Sequence, residues 1–338
     1  MLKNITQNNK EQTRVLDPQI NQALAASFTE LPSPYEYPEV HLMQTTRAFH
    51  QHLSLEMLLE IKRFSRDPVS PGYMLLDNLP VGKLPATPVN GVIPDDRQDF
   101  VAESISLGLG SLIGDPIGYK WEKDSLLPHH VIPLPGGEYT QSNQGSKVFL
   151  RYHNDMVFDE SLSYNSFNPD FLVLFCAKPD RQGQAETRYA DARIILSKLS
   201  ELEVERLCQP AFRIASPSNY SRLLSSNGIK WSNPQPIITG SVDFPEIGLG
   251  ANGVVALDKE DEVLLDKVYS ICNDPEVYTG IKLKQGQAML INNRKGVHAR
   301  TEFEPTGDTD ERWLIRANVR TDLWSMRHRI DGDFRRYA

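Results

Sequence analysis

Cysteine is scarce: Cys176, Cys208 and Cys272 are all that 338 residues contain. The number is odd and no C-x-x-C pair occurs, so neither a disulfide framework nor a cysteine zinc site is expected. Cys176 lies inside the apolar run 171–177 and reads as a buried thiol. Long apolar runs are missing too. No stretch approaches the roughly 18 residues of a membrane-spanning helix, and residues 1–14 lack the apolar segment of a secretory leader. A cytoplasmic setting is the expectation. Nor is there a basic excess: 36 Lys and Arg stand against 44 Asp and Glu, a net charge of -8. No basic run is dense enough to follow a phosphate backbone, so no nucleic-acid partner is expected, and no membrane partner either. Repeats and low-complexity tracts are absent.

What is present divides by pattern. A 40% hydrophobic share over this length is enough for one large core. Residues 1–17 read as a loose arm and 18–338 as a single domain. Its first part, 18–113, reads as mainly helical, with helices at 18–28, 47–64 and 100–113. Leu53, Met57, Leu58 and Ile61 form an apolar stripe on the second, a packing face. A buried strand at 72–76 and a proline-rich connector at 83–95 lie between. From 114 to about 329 the pattern is short strands with turn punctuation: 118–121, 131–133, 147–152, 170–176, 186–189, 235–239, 253–256, 280–283, 288–292, 297–303 and 313–320. Helices interrupt at 191–199, 200–208 and 259–272. Many short strands separated by turn signals predict a β-sandwich or barrel.

Two separated stretches carry chemistry. His153 and Asp155 are two apart, so on a strand they share a face. Far downstream, the apolar strand 288–292 ends in a turn at 293–296, and His298 follows. Two histidines and a carboxylate are the facial set that holds non-heme Fe(II) and leaves open positions. Taken alone, H-x-D is weak, because a lone histidine is more often a satisfied core residue. Zinc would accept the same ligands. Beyond His298, Trp313, Ile315, Ala317 and Val319 fall on one strand face, and Arg312, Leu314, Arg316, Asn318 and Arg320 on the other. Guanidinium groups so close together repel unless anions sit among them, and arginine suits bidentate capture of a carboxylate. A solvated strand face is the plain alternative.

His153-x-Asp155, the segment from Leu290 to Arg300 and the segment from Arg312 to Arg316 together resemble the clavaminate synthase-like branch of the Fe(II)/2-oxoglutarate-dependent oxygenases. Within it they are most similar to hydroxylases of free amino acids. The resemblance spans about 114–329. It implies a mainly β fold with flanking helices and a double-stranded β-helix (jelly-roll) core. It further implies Fe(II) on His153, Asp155 and His298, 2-oxoglutarate on Arg312 with Thr187 assisting, dioxygen as co-substrate, and the substrate's carboxylate on Arg316. Most of these relatives carry Glu where this chain has Asp155. A retained carboxylate implies hydroxylation rather than halogenation.

Asn143 and Glu122 fall where arginine-hydroxylating relatives touch the backbone end of the substrate. The paired acids with which those relatives grip a guanidinium are replaced by Gly250 and Asn252, which disfavours arginine. Segments 153–160, 168–180 and 292–300 look closest to lysine 4-hydroxylases. The expected reaction is hydroxylation of free L-lysine at C4, with succinate and CO2 as coproducts. Ornithine, arginine, citrulline and asparagine are the alternative substrates. A zinc hydrolase and a non-catalytic jelly-roll binding protein are the alternatives of another class, and neither calls for Arg312 and Arg316 at these offsets.

Overall fold

The computed structural model describes residues 12–88, 90, 91, 97, 99–122, 125–142, 145–159, 167–217 and 228–337. Its early strands are β1 (Thr13–Val15), β2 (Tyr73–Asp77), β3 (Asp115–Tyr119), β4 (Pro128–Val131), β5 (Leu150–His153), β6 (Phe171–Lys178) and β7 (Thr187–Asp191). Then come β8 (Phe212–Ile214), β9 (Ile238–Ser241), β10 (Phe244–Ile247), β11 (Val254–Ala256), β12 (Tyr278–Ile281), β13 (Ala288–Asn292), β14 (Gly296–Arg300), β15 (Trp313–Arg320), β16 (Ile330–Asp331) and β17 (Asp333–Tyr337). The helices are α1 (Pro18–Thr29), α2 (Pro38–His52), α3 (Leu55–Arg66), α4 (Val101–Ile113), α5 (Ala192–Ser197), α6 (Glu201–Leu207) and α7 (Lys259–Cys272).

Two sheets form the jelly-roll core. The larger has nine strands in the order β1-β2-β13-β6-β15-β3-β17-β16, with β4 also on β15. The smaller runs β12-β7-β14-β5. Strand alternation sorts the side chains into layers. In β6, Phe171, Val173, Phe175 and Ala177 join Trp313, Ile315, Ala317 and Val319 of β15 against the N-terminal helices. The alternate residues Leu172, Leu174 and Cys176 meet Leu314, Tyr189, Met289 and Ile291 between the sheets. Behind the smaller sheet, Val297 and Ala299 pack with Ile195, Leu207 and Val268. All eight residues of β15 are buried, which excludes a solvated strand face.

α4 is buried along nearly its whole length. Its glycine at 108 admits α2: a Cβ there would sit 2.4 Å from the Phe49 ring. The expected helix over 47–64 is in fact two. Leu53 turns extended, and the Ser54 side chain accepts from Met57 N to start α3. Its apolar stripe still faces one core, with Leu53 and Ile61 buried and Met57 and Leu58 packed alongside. The expected loose arm is anchored at its end, since β1 pairs in parallel with β2, while residues 1–11 lie outside the described ones. At the other end, β17 pairs in parallel with β3 and carries the core past residue 329. No helix among the described residues is long and apolar enough to cross a membrane.

Candidate active site

β14 lies between β7 and β5, and its pairing places His298 directly opposite His153. The two ring centroids are 4.2 Å apart. Asp155 follows just beyond β5, and its Oδ1 lies 3.3 Å from His153 Nε2 and 3.7 Å from His298 Nε2. One ligand atom from each of the three falls within 4.8 Å of the others. His153 Nδ1 is 2.7 Å from the Arg151 carbonyl. A carbonyl only accepts, so Nδ1 is the donor and Nε2 is the ring nitrogen that faces Asp155. Burial, reinforced by His153, pushes the His298 pKa down to about 3, so its ring is neutral at neutral pH. For Asp155, burial works toward a higher pKa, but Arg316 and the two histidines outweigh it and hold the carboxyl well below its ordinary value. Two imidazole nitrogens and one carboxylate oxygen suit a first-row divalent metal.

The turn before His298 locks this arrangement. Asn293 Oδ1 accepts from Asp155 N at 2.9 Å, and its Nδ2 donates to the carbonyls of Asp155 and Pro169, each at 3.0 Å. Asn154 Nδ2 donates to the carbonyls of Asn293 and Gly296, while its Oδ1 accepts from Leu249 N. Immediately after Asp155 the chain turns back at Met156, whose φ of 54° is in the left-handed region.

The triad opens on a cavity of about 150 Å³ that Glu122, Thr187, Gly250, Asn252, Arg300, Arg312 and Arg316 also line. Arg312 is buried, with its guanidinium carbon 5.2 Å from the Phe303 ring centroid, and pairs with no carboxylate among the described residues. Arg316 is heavily engaged. Its Nη1 donates to Asp155 Oδ2 at 2.6 Å, and its Nη2 donates to Glu122 and, at 2.7 Å, to His129 Nδ1. Burial opposes the Arg316 charge, yet Asp155 and Glu122 hold its pKa above the ordinary value. Burial pushes the Glu122 carboxyl up, with Arg316 acting against it.

Residues 89–318 match the family model for taurine catabolism dioxygenase TauD, TfdA family. The chain belongs to the TauD/TfdA family. It is a Fe(II)/2-oxoglutarate oxygenase of the clavaminate synthase-like branch. This TauD/TfdA oxygenase is 32% identical over 267 residues to the L-asparagine oxygenase of Streptomyces coelicolor, covering 78% of this chain and 75% of the relative. It is 27% identical over 303 residues to clavaminate synthase 2 of Streptomyces clavuligerus, covering 89% of each. A crystal structure of asparagine oxygenase with Fe(II), 2S,3S-3-hydroxyasparagine and succinate superposes with a TM-score of 0.84 at 27% identity, covering 96% of this chain and 99% of that one.

The TauD/TfdA oxygenase thus gathers His153, Asp155, His298, Arg312, Thr187, Arg316 and Glu122 around one cavity. Asn143 lies outside the described residues. Arg320, the third arginine on the same β15 face, departs from the site: it donates to the Asn168 carbonyl at 2.6 Å and pairs with Asp170. Sequence reasoning assigned no role to His129, Asn154, Asn293 or Arg300. The paired asparagines at 292–293 were a readable signal for a side-chain-bonded turn, and Arg300 was readable as the same-face neighbour of His298. His129 had none, because only the fold brings β4 beside β15.

Proposed function

We propose that this oxygenase hydroxylates an unactivated C–H bond of a free L-amino acid, with His153, Asp155 and His298 holding Fe(II). The single observation that carries the reading is the shared cavity: the triad and the carboxylate-free guanidinium of Arg312 line one space between the two sheets. Bound iron supplies, with 2-oxoglutarate and dioxygen, oxidative decarboxylation to succinate and CO2 coupled to hydroxylation. The protein's own part is binding, orientation and exclusion of water. Arg312 offers a two-pronged donor to the far carboxylate of 2-oxoglutarate, and Thr187, buried across the same cavity, offers a hydroxyl. Arg316 steadies Asp155 through Oδ2 and leaves Oδ1 to the metal side. A substrate carboxylate on Arg316 and an ammonium on Glu122 join this existing charged cluster.

For the side chain, the finer reading is L-lysine oxidised at C4, supported by segments 153–160, 168–180 and 292–300. A second reading is a neutral amide side chain. It is favoured by the 32% identity to an L-asparagine oxygenase and by the cavity's own charges. Both acids among the described cavity residues, Glu122 and Asp155, already bond Arg316, while Gln141, Ser142 and Asn252 are neutral and polar. The test is succinate formation with Fe(II) and 2-oxoglutarate across the free amino acids, followed by NMR of the product. Lysine-dependent turnover with a 4-hydroxyl product supports the finer reading. Faster turnover of asparagine or glutamine transfers the assignment to the amide, and no response to any amino acid overturns the substrate class.

A further inference from the structure

Arg300 closes β14 two residues after His298 and, by strand alternation, faces the same cavity. It is 5% exposed. Across the β14–β7 pair its direct partner is Thr187. Its guanidinium carbon lies 5.2 Å from the Phe303 ring centroid, the same distance at which Arg312 meets that ring. Among the described residues its side chain bonds to neutral carbonyls alone, Thr301 O at 3.2 Å and Val148 O at 3.3 Å. Other buried arginines of this chain have carboxylates: Arg316 with Asp155, Arg320 with Asp170, Arg193 with Asp191 and Arg97 with Glu103. Arg300 and Arg312 have none among the described residues. Two buried like charges without a counter-ion are costly, and an anion between them removes the cost.

Resting on the 2-oxoglutarate reading above, we propose that Arg300 is a second anchor for the far carboxylate of 2-oxoglutarate, acting with Arg312. A carboxylate has two oxygens and about four lone-pair sites, enough for donors from two guanidinium groups and the Thr187 hydroxyl. The residue thereby selects a dicarboxylic keto acid over a monocarboxylic one.

The experiment compares binding of 2-oxoglutarate and 2-oxovalerate, which lacks the far carboxylate, by calorimetry on the Fe(II)-loaded protein held without dioxygen. Wild type should prefer 2-oxoglutarate strongly. Arg300→Gln should lower that preference by about tenfold or more, chiefly through weaker 2-oxoglutarate binding. Arg300→Lys keeps the charge but loses the fork and should lower it less. An unchanged preference in Arg300→Gln, with Arg312→Gln losing it, overturns the proposal and leaves the 2-oxoglutarate reading standing. If Arg300→Gln does not fold, an unchanged preference in Arg300→Lys overturns it. No preference in wild type overturns the 2-oxoglutarate reading itself.

Discussion

Asp155 turns its two oxygens to different partners. Oδ1 faces the two imidazoles and Oδ2 accepts from Arg316. Asp155→Asn keeps the shape and removes the charge on both sides. Iron content after anaerobic reconstitution should fall to background, with turnover lost and circular dichroism retained. Full iron occupancy in that variant would refute the ligand assignment. Arg312 is the complementary case, a buried cation whose guanidinium pairs with no carboxylate among the described residues. Arg312→Ala removes a charge-assisted partner of about 1.5–3 kcal/mol, so apparent 2-oxoglutarate affinity should fall by about tenfold to a hundredfold. Titration of succinate formation against 2-oxoglutarate measures it, and an unchanged half-saturation point speaks against the role. At this scale the reactive groups were legible because few residue types perform such chemistry. Their partners were not: nothing near residue 316 in the sequence announces that Glu122 and His129 will share its guanidinium.

The turn between β13 and β14 serves the site through the backbone of Asp155. Asn293 ties the Asp155 backbone to β13 from both sides. Asn293→Ala leaves those buried groups unpaired at about 1–3 kcal/mol each. It should lower the melting temperature and weaken iron binding together, as thermal denaturation and metal titration would record. A lower melting temperature with unaltered iron affinity would confine Asn293 to stability. Gly108 offers the opposite case, an element contact far from the chemistry. Gly108→Val drives a side chain into Phe49 and should cost roughly 1–3 kcal/mol in denaturant unfolding, with turnover per folded molecule unchanged. β13, β15 and α7 were legible to the residue, because β13 is a bounded apolar run, β15 alternates Trp313, Ile315, Ala317 and Val319 with a mainly polar face, and α7 is capped by Asp258 and opened by acids. The break between α2 and α3 was hidden because one apolar stripe crosses it. β1 and β17 were hidden because three to five residues paired in parallel with distant strands leave no local periodicity.

Across the whole molecule, the larger sheet is clamped by α1–α4 on one face and turns its other face to the smaller sheet. The cavity lies between the two sheets, lined by Leu174, Leu314, Arg312 and Arg316 from one side and His153, Thr187, His298 and Arg300 from the other. A site assembled this way depends on register in both sheets, since a one-residue slip of β14 would exchange His298 for Val297 or Ala299. On the proposed function, this cavity uses dioxygen to hydroxylate a free amino acid while converting 2-oxoglutarate to succinate. Turnover under ¹⁸O₂ in ordinary water, with mass spectrometry of both products, tests it most directly. One labelled oxygen is expected in succinate and one in the hydroxylated amino acid, with no product from Asp155→Asn. Products carrying oxygen only from water, or an amino acid altered without 2-oxoglutarate, would contradict it.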